Sequence, residues 1–375
     1  MKNKELALYI HIPFCLKKCN YCDFCSFAGL DDRMKQRYVD ALISEIRLYK
    51  QAASDRRVKS IFFGGGTPSL LSIEAFEKIV NAMRESFRID GDAEFTVEAN
   101  PKTLTKQKLS SFVRCGVNRL SIGLQSIHGN ELKILGRIHT YQDFLDSIAM
   151  ARTAGIDNIN VDIMYAIPEQ TVQSFCKTVD AVCALPITHL SAYSLIIEDE
   201  TPFGQMRESL TLPEESDELL MVEYLHARMQ DAGFSHYEIS NYAKEGHACR
   251  HNLVYWNGEE YLGFGLSACS CFEKIRYANT SSMDEYLLGN FTQYRTEEHL
   301  SDEDIAFEYA MLRLRLVEGL SLEEYEKRFG HSFTEGKEGE IDKFIELGFL
   351  QCSDGYLSFT EKGIYVSNEI LSRLL

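Results

Sequence analysis

Three cysteines near the start of the chain have the spacing of a metal site: Cys15-Leu-Lys-Lys-Cys19-Asn-Tyr-Cys22. Three thiolates set four and three residues apart can wrap one face of a cubane [4Fe–4S] cluster and leave its fourth iron without a protein ligand. That open iron can chelate the amino and carboxylate groups of a small molecule, which a four-cysteine site could not do. A zinc knuckle is the competing reading. Zinc, however, favours paired C-x-x-C units with a second ligand pair, and His11 is the only nearby candidate. Cys25, three residues after Cys22, is expected to face elsewhere in the loop as a small buried hydrophobe.

Further residues of chemical interest follow at intervals. Gly64-Gly65-Gly66-Thr67-Pro68 comes directly after the apolar run Ile61-Phe62-Phe63. Glycines there let backbone approach a ligand closely, although a strand-to-helix junction needs glycine for its geometry as well. Glu98, Gln125 and Asp162 are polar residues in or ending otherwise apolar runs, and Arg137 can pair with a carboxylate. One such residue alone would be a satisfied structural group. Several on one rim make a ligand site the better reading.

The elements that must place them alternate. β-type runs at 6–12, 58–63, 94–98, 119–124, 160–164 and 189–197 are each followed by a helical pattern. Asp31 and Asp32, Ser72, Thr105, and Thr140 with Asp143 stand where helices should begin. Gly116 and Gly155 stand where they should stop. Six βα units imply a parallel sheet with right-handed crossovers, two short of a closed barrel. The expected fold is therefore α/β: an open, TIM-like partial (β/α)6 barrel with its functional groups at the C-terminal ends of the strands. The cysteines follow the first run, the glycines the second, Glu98 ends the third, Gln125 the fourth, and Asp162 lies in the fifth.

Residues 1–202 are read as this barrel. Residues 203–300 are read as a capping segment with one helix at 217–231 amid irregular, aromatic- and Gly-rich sequence. Residues 301–375 are read as a smaller, mainly helical, winged-helix-like domain with helices at 305–316, 322–329 and 341–347. A hairpin at 350–359 would turn on Asp354-Gly355.

Net charge is −17, and no stretch gathers Lys and Arg into a basic face, so nucleic acid is a poor partner. Eleven cysteines, four of them within 15–25, do not form the even framework of a small secreted protein. The chain opens Met-Lys-Asn-Lys-Glu and runs straight into its first β-type segment, with no long apolar stretch. A reducing, cytoplasmic location is expected, with at most peripheral membrane contact.

Together the motifs resemble a known family. Tyr9-Ile-His-Ile-Pro-Phe-Cys15, Phe63-Gly-Gly-Gly-Thr-Pro68, Val97-Glu98-Ala-Asn-Pro101, Ser121-Ile-Gly-Leu-Gln125, Leu135-Gly-Arg137-Ile-His139 and Val161-Asp162 are similar to the HemN/HemW branch of the radical S-adenosylmethionine (SAM) proteins. The resemblance implies a [4Fe–4S] cluster on Cys15, Cys19 and Cys22. It also implies SAM contacts at Tyr9, Tyr21, Gly65, Gly66, Thr67, Glu98, Gln125, Arg137 and Asp162. The branch holds two activities: oxygen-independent coproporphyrinogen III dehydrogenases, and haem chaperones that pass haem to acceptor proteins.

Three features favour the chaperone. Phe24 stands where the dehydrogenases carry a fourth cysteine, and only eight residues precede Tyr9, where the dehydrogenases have a substantial extension. Arg250-His251-Asn252-Leu-Val-Tyr255-Trp256 matches the H-N-x-x-Y-W haem motif. A neutral imidazole from His251 is a good axial ligand for haem iron, with Cys249 a weaker second candidate. The resemblance further implies haem acceptors as partners, respiratory enzymes among them, and leaves open a homodimer controlled by cluster and SAM. One departure stands out: Cys269 occupies the place of a family histidine after Tyr261-Leu-Gly-Phe-Gly265.

Overall fold

A computed structural model describes residues 4–375, so the first three residues of the opening Met-Lys-Asn-Lys-Glu fall outside the description. Six parallel strands stand side by side in sequence order: β1 (Lys4–Ile12), β2 (Arg56–Gly65), β3 (Ile89–Ala99), β4 (Arg119–Gln125), β5 (Asn158–Tyr165) and β6 (His189–Ser194). Helices α1 (Asp32–Leu48), α2 (Ile73–Ser86), α3 (Lys106–Arg114), α4 (Tyr141–Thr153) and α5 (Val172–Cys183) connect them. The expected caps form. Asp31, Ser72 and Thr105 each accept a backbone N–H three residues on, and Thr140 with Asp143 makes a reciprocal capping box.

Alternation along each strand divides the molecule into an inside and an outside. Leu120, Ile122 and Leu124 of β4 enter the hydrophobic core, while Ser121, Gly123 and Gln125 line an interior cavity. Each fully buried Leu or Ile contributes about 1.5–3 kcal/mol, so this pattern holds the register against a one-residue slip.

The segment after residue 202 differs from the sequence reading. Besides α6 (Glu215–Asp231), it supplies strands to both edges of the sheet. The hairpin β7 (Ser235–Glu238) and β8 (Asn241–Ala243) adds antiparallel to β6. After α7 (Arg250–Trp256), β9 (Tyr261–Phe264) pairs parallel with the free side of β1. Three more antiparallel strands follow: β10 (Cys269–Phe272), β11 (Ile275–Ala278) and β12 (Thr296–His299). Among the described residues the sheet thus has twelve strands, ordered β12-β11-β10-β9-β1-β2-β3-β4-β5-β6-β8-β7. These added strands are three or four residues long and contain Gly, Asn, Ser and Cys. Their strand neighbours fix them, not their propensities.

The C-terminal part has its own core around Leu314, Tyr325, Phe344, Leu357 and Phe359. It comprises α8 (Asp302–Arg313), β13 (Leu320–Ser321), α9 (Leu322–Phe329), α10 (Glu338–Glu346), the hairpin β14 (Leu350–Ser353) and β15 (Tyr356–Phe359), and α11 (Ser367–Leu374). Asp354 and Gly355 both take positive φ, as a type I′ turn requires. No helix among the described residues is long and apolar enough to cross a membrane.

Candidate cluster and ligand site at the barrel mouth

The loop after β1 is tied down at several points. Gly66 donates its N–H to Ile12 at 2.9 Å, joining the glycine turn to the end of β1. Gly65 has φ 106°, a conformation that side chains disfavour, and a Cβ there would strike the His11 ring. Within the loop, Asn20 donates from its backbone to Leu135 (3.0 Å) and from its side chain to Ile134 (2.8 Å), while its carbonyl accepts from Phe203 (3.0 Å).

So held, the unpaired thiols of Cys15, Cys19 and Cys22 line one side of a cavity of about 620 Å³. Among the described residues, no three His, Cys, Asp or Glu side chains converge as the ligands of a single ion must. A cubane instead takes one thiolate at each of three separate irons. His11 is engaged at both ring nitrogens: Nδ1 meets the Tyr9 hydroxyl at 3.1 Å and Nε2 donates to the Cys25 carbonyl at 2.7 Å. Cys25 is absent from the cavity wall, and its thiol lies 3.8 Å from the Ser281 carbonyl.

A chain of polar contacts joins two of the thiols across the mouth. Cys15 Sγ lies 3.8 Å from Thr67 Oγ1, which accepts from Asn100 Nδ2 at 2.9 Å. Asn100 Oδ1 accepts from Arg137 Nη2 at 2.6 Å, and Arg137 Nη1 lies 3.8 Å from Cys19 Sγ. Arg137 also donates to the Gly123 carbonyl at 2.6 Å. A fixed positive charge therefore stands beside a sulfur that must be a thiolate when it holds iron. Asn100 is a residue that sequence reasoning did not single out. Its signal was the Asn-Pro pair that follows β3.

Across the cavity stand two carboxylates. Glu98 accepts from Gly65 N at 3.2 Å. Burial, and then the negative charge of Asp162, push its carboxyl up to about 8. Asp162 accepts from Ser121 (3.2 Å) and Asn160 (2.7 Å), and burial raises it too. Gln125 sits at a bulge of β4 with φ 68°. Such strain is characteristic of sites that aim a side chain. Of the nine residues the resemblance assigned to SAM, Tyr21, Gly65, Gly66, Thr67, Glu98, Gln125, Arg137 and Asp162 line this one cavity. Tyr9 does not; it rests beside Phe62 with its hydroxyl on His11.

His251 and Cys249 lie elsewhere, one layer down. Glu94, four residues before Glu98 on β3, accepts the backbone N–H groups of Arg250 and His251, each at 3.0 Å, and the Cys249 thiol at 3.5 Å. It thereby satisfies donors that the start of α7 would otherwise leave orphaned. The His251 ring stacks on Phe62, with Nδ1 3.0 Å from Ser60 Oγ and Nε2 2.9 Å from Tyr255 Oη. Burial and the nearby Arg119 push its pKa down to about 3, so it is neutral. Burial pushes the Cys249 thiol up to about 12. In this arrangement neither ring nitrogen is free. Tyr255 and Trp256, in contrast, face an outer cleft of about 330 Å³ with Tyr193 and Arg315.

Residues 9–182 match the Radical SAM superfamily, and residues 300–366 match the HemN C-terminal domain. The chain is 34% identical to the Heme chaperone HemW of Lactococcus lactis, covering all of this chain and 98% of that protein. It is also 34% identical to the Heme chaperone HemW of Escherichia coli, covering all of this chain and 99% of that one. The solved structure of coproporphyrinogen III oxidase (HemN) from Escherichia coli superposes with a TM-score of 0.85 over 99% of this chain and 90% of that one. At 22% identity that likeness establishes the fold alone. With full-length identity at this level, and the cysteine loop and glycine turn at one barrel mouth, the chain belongs to the HemW family of the radical SAM superfamily.

Proposed function

We propose that this protein is a haem chaperone: it binds haem and hands it to acceptor proteins, respiratory enzymes among them. The observation that carries this reading is the full-length identity to haem chaperones together with the retained His251-Asn252-Leu-Val-Tyr255-Trp256 stretch on α7. The barrel, the α7 segment and the C-terminal part would then act as three functional units, at 1–202, 203–300 and 301–375.

Cys15, Cys19 and Cys22 would hold a [4Fe–4S] cluster and the opposite wall would hold SAM. When bound, the cluster supplies one electron for the reductive cleavage of SAM. The chain's own groups fit a cationic ligand with a carboxylate. Glu98 and Asp162 are two desolvated carboxyl groups on one wall, each favoured by a cationic neighbour, and Arg137 offers a guanidinium at the other side. The backbone at Gly65 and Gly66 lets the ligand approach without a side chain in the way.

Haem would lie on the outer face of α7, against Tyr255 and Trp256, with Arg315 near its propionates. Iron would reach His251 Nε2 once Tyr255 turns aside, since its hydroxyl now takes that nitrogen. Cys249, deeper and held by Glu94, is the weaker ligand. A cytoplasmic location, peripheral contact with a membrane at most, and a homodimer governed by cluster and SAM complete the reading.

The test is an anaerobic haem titration of the cluster-loaded protein, wild type against His251→Ala, followed by Soret absorbance. Stoichiometric binding that weakens in the variant is expected. No binding in either protein would overturn the chaperone reading and turn attention to porphyrinogen decarboxylation.

A further inference from the structure

An unbroken line of hydrogen bonds runs from the SAM wall to the helix that carries His251. Asn160 of β5 donates from Nδ2 to Asp162 at 2.7 Å. Its Oδ1 meets Nδ1 of His189, its register partner on β6, at 2.6 Å. His189 Nε2 meets the Tyr237 hydroxyl of β7 at 2.8 Å. That hydroxyl accepts the backbone N–H of Cys249, the residue just ahead of α7, at 3.2 Å. Asn160 and His189 are 3% and 0% exposed, which keeps water from competing for these bonds.

Each bond in the line has one direction. An amide that gives Nδ2–H to Asp162 turns Oδ1 to His189, and an amide oxygen only accepts, so Nδ1 carries the imidazole proton. Burial, and then Arg119, hold His189 far below its usual pKa, so the ring is neutral and Nε2 accepts. The Tyr237 O–H therefore donates to His189 and turns its lone pairs to Cys249 N–H. None of the three linking side chains can turn without breaking the bonds on both its sides. Dipoles aligned in series strengthen one another, and ordering one end orders the other. Asp162 at one end lines the barrel cavity, and Cys249 at the other opens the helix bearing His251 and Tyr255.

We propose that the line from Asp162 through Asn160, His189 and Tyr237 couples SAM occupancy to haem binding, with the start of α7 as the element both ligands bias. This rests on the haem reading above and names the regulation of that site. SAM engaging Asp162 fixes its carboxylate, and the line then holds the start of α7 in its seat. Haem needs the opposite, because His251 and Tyr255 must part before Nε2 reaches iron. SAM therefore drives haem off, and haem weakens SAM by the same factor. His189 and Tyr237 line neither the barrel cavity nor the outer cleft, so they act as positioning residues.

The experiment uses the anaerobic, cluster-loaded full chain and two readouts. Backbone hydrogen exchange over residues 249–256 is followed without haem, with and without SAM, in wild type and Tyr237→Phe. Haem affinity is then read by Soret titration with and without SAM in both proteins. In wild type SAM should slow exchange at the start of α7 and weaken haem at least about fivefold, as coupled sites do. In Tyr237→Phe SAM should still bind and protect the strand ends at the rim. Exchange over 249–256 and haem affinity should no longer respond to it. A merely structural tyrosine would shift the baseline exchange and leave the response to SAM intact, which overturns the proposal. So would a wild type that does not bind SAM, or whose α7 exchange or haem affinity ignores it. Should Tyr237→Phe fail to fold, His189→Asn, too short to span both partners, decides: a lost response supports the line and a retained one overturns it. If neither protein binds haem, the haem reading falls, and with it the proposed coupling. The exchange result then shows separately whether the line joins Asp162 to α7.

Discussion

Two layers of the same barrel carry similar residues and do opposite things with them. At the rim, Glu98 of β3 accepts one backbone N–H, from Gly65, and faces Asp162 across open space. Four residues lower, two repeats of the alternation, Glu94 of the same strand accepts two backbone N–H groups and a thiol, all from the start of α7. The rim thiols lie half-buried around a cavity, whereas Cys249 is fully buried. What separates a ligand site from a structural joint here is unspent hydrogen-bonding capacity, not residue type. Cysteine, histidine and glutamate occur in both layers, and the cysteine, histidine and glutamate of the lower one are bound to one another or to their neighbours.

The hardest test of that contrast is Cys19→Ser. If the rim is a ligand site, anaerobic reconstitution should load wild type with about four irons per chain and the variant with almost none. The loop's own bonds, from Asn20 to Ile134 and Leu135 and from Phe203 to Asn20, do not involve the thiol. The melting temperature of the cluster-free proteins should therefore be nearly the same. A variant that melts far below cluster-free wild type would erase the distinction between the layers.

The lower layer should respond in the opposite sense. His251→Ala removes a fully buried ring, its two hydroxyl contacts and its stack on Phe62. A loss of about 3–5 kcal/mol in urea-unfolding stability is expected, from the cavity left and the orphaned Ser60 and Tyr255 hydroxyls. Iron content in the fraction that remains folded should stay at the wild-type level. A stability loss under about 1 kcal/mol would mean that α7 is loosely seated, which would bring His251 closer to a ready haem ligand.

Much of this contrast was legible in the sequence, and the illegible part has physical causes. The barrel could be read because β-type runs buried on the helix side and capped helices repeat locally. The rim could be read because functional residues fall at strand ends. Asn100 escaped because its role, bridging Thr67 to Arg137, depends on partners 33 and 37 residues away. The strand Tyr261–Phe264 escaped because a four-residue segment with a central glycine has no period, and only its register against β1 makes it a strand. His251 was legible as a motif but not as a layer. Sequence spacing cannot tell that Ser60 and Tyr255 occupy its two nitrogens.

The smallest expected effect is also the most specific. Glu98 is pushed from 4.5 up to about 8, so between those values the folded chain holds a proton that the unfolded chain has lost. The sign follows directly. Below about pH 4.5 both states are protonated and the carboxyl is neutral to stability. As pH rises toward 8 the unfolded state gains by ionising, and the folded protein loses stability until its own carboxyl ionises. Glu98→Gln carries no such proton. Comparing the two proteins without ligand by urea unfolding at pH 5 and pH 7, wild type should lose about 2 kcal/mol relative to the variant, with water in the cavity screening part of the full shift. SAM should reverse the preference, because its cationic centre favours the ionised carboxylate. Its affinity for wild type should strengthen from pH 6.5 to 8.5 relative to Glu98→Gln, as read by equilibrium dialysis. A matching pH profile in the two proteins would mean that Glu98 does not meet the cation. The unspent capacity at the rim would then belong to a different group.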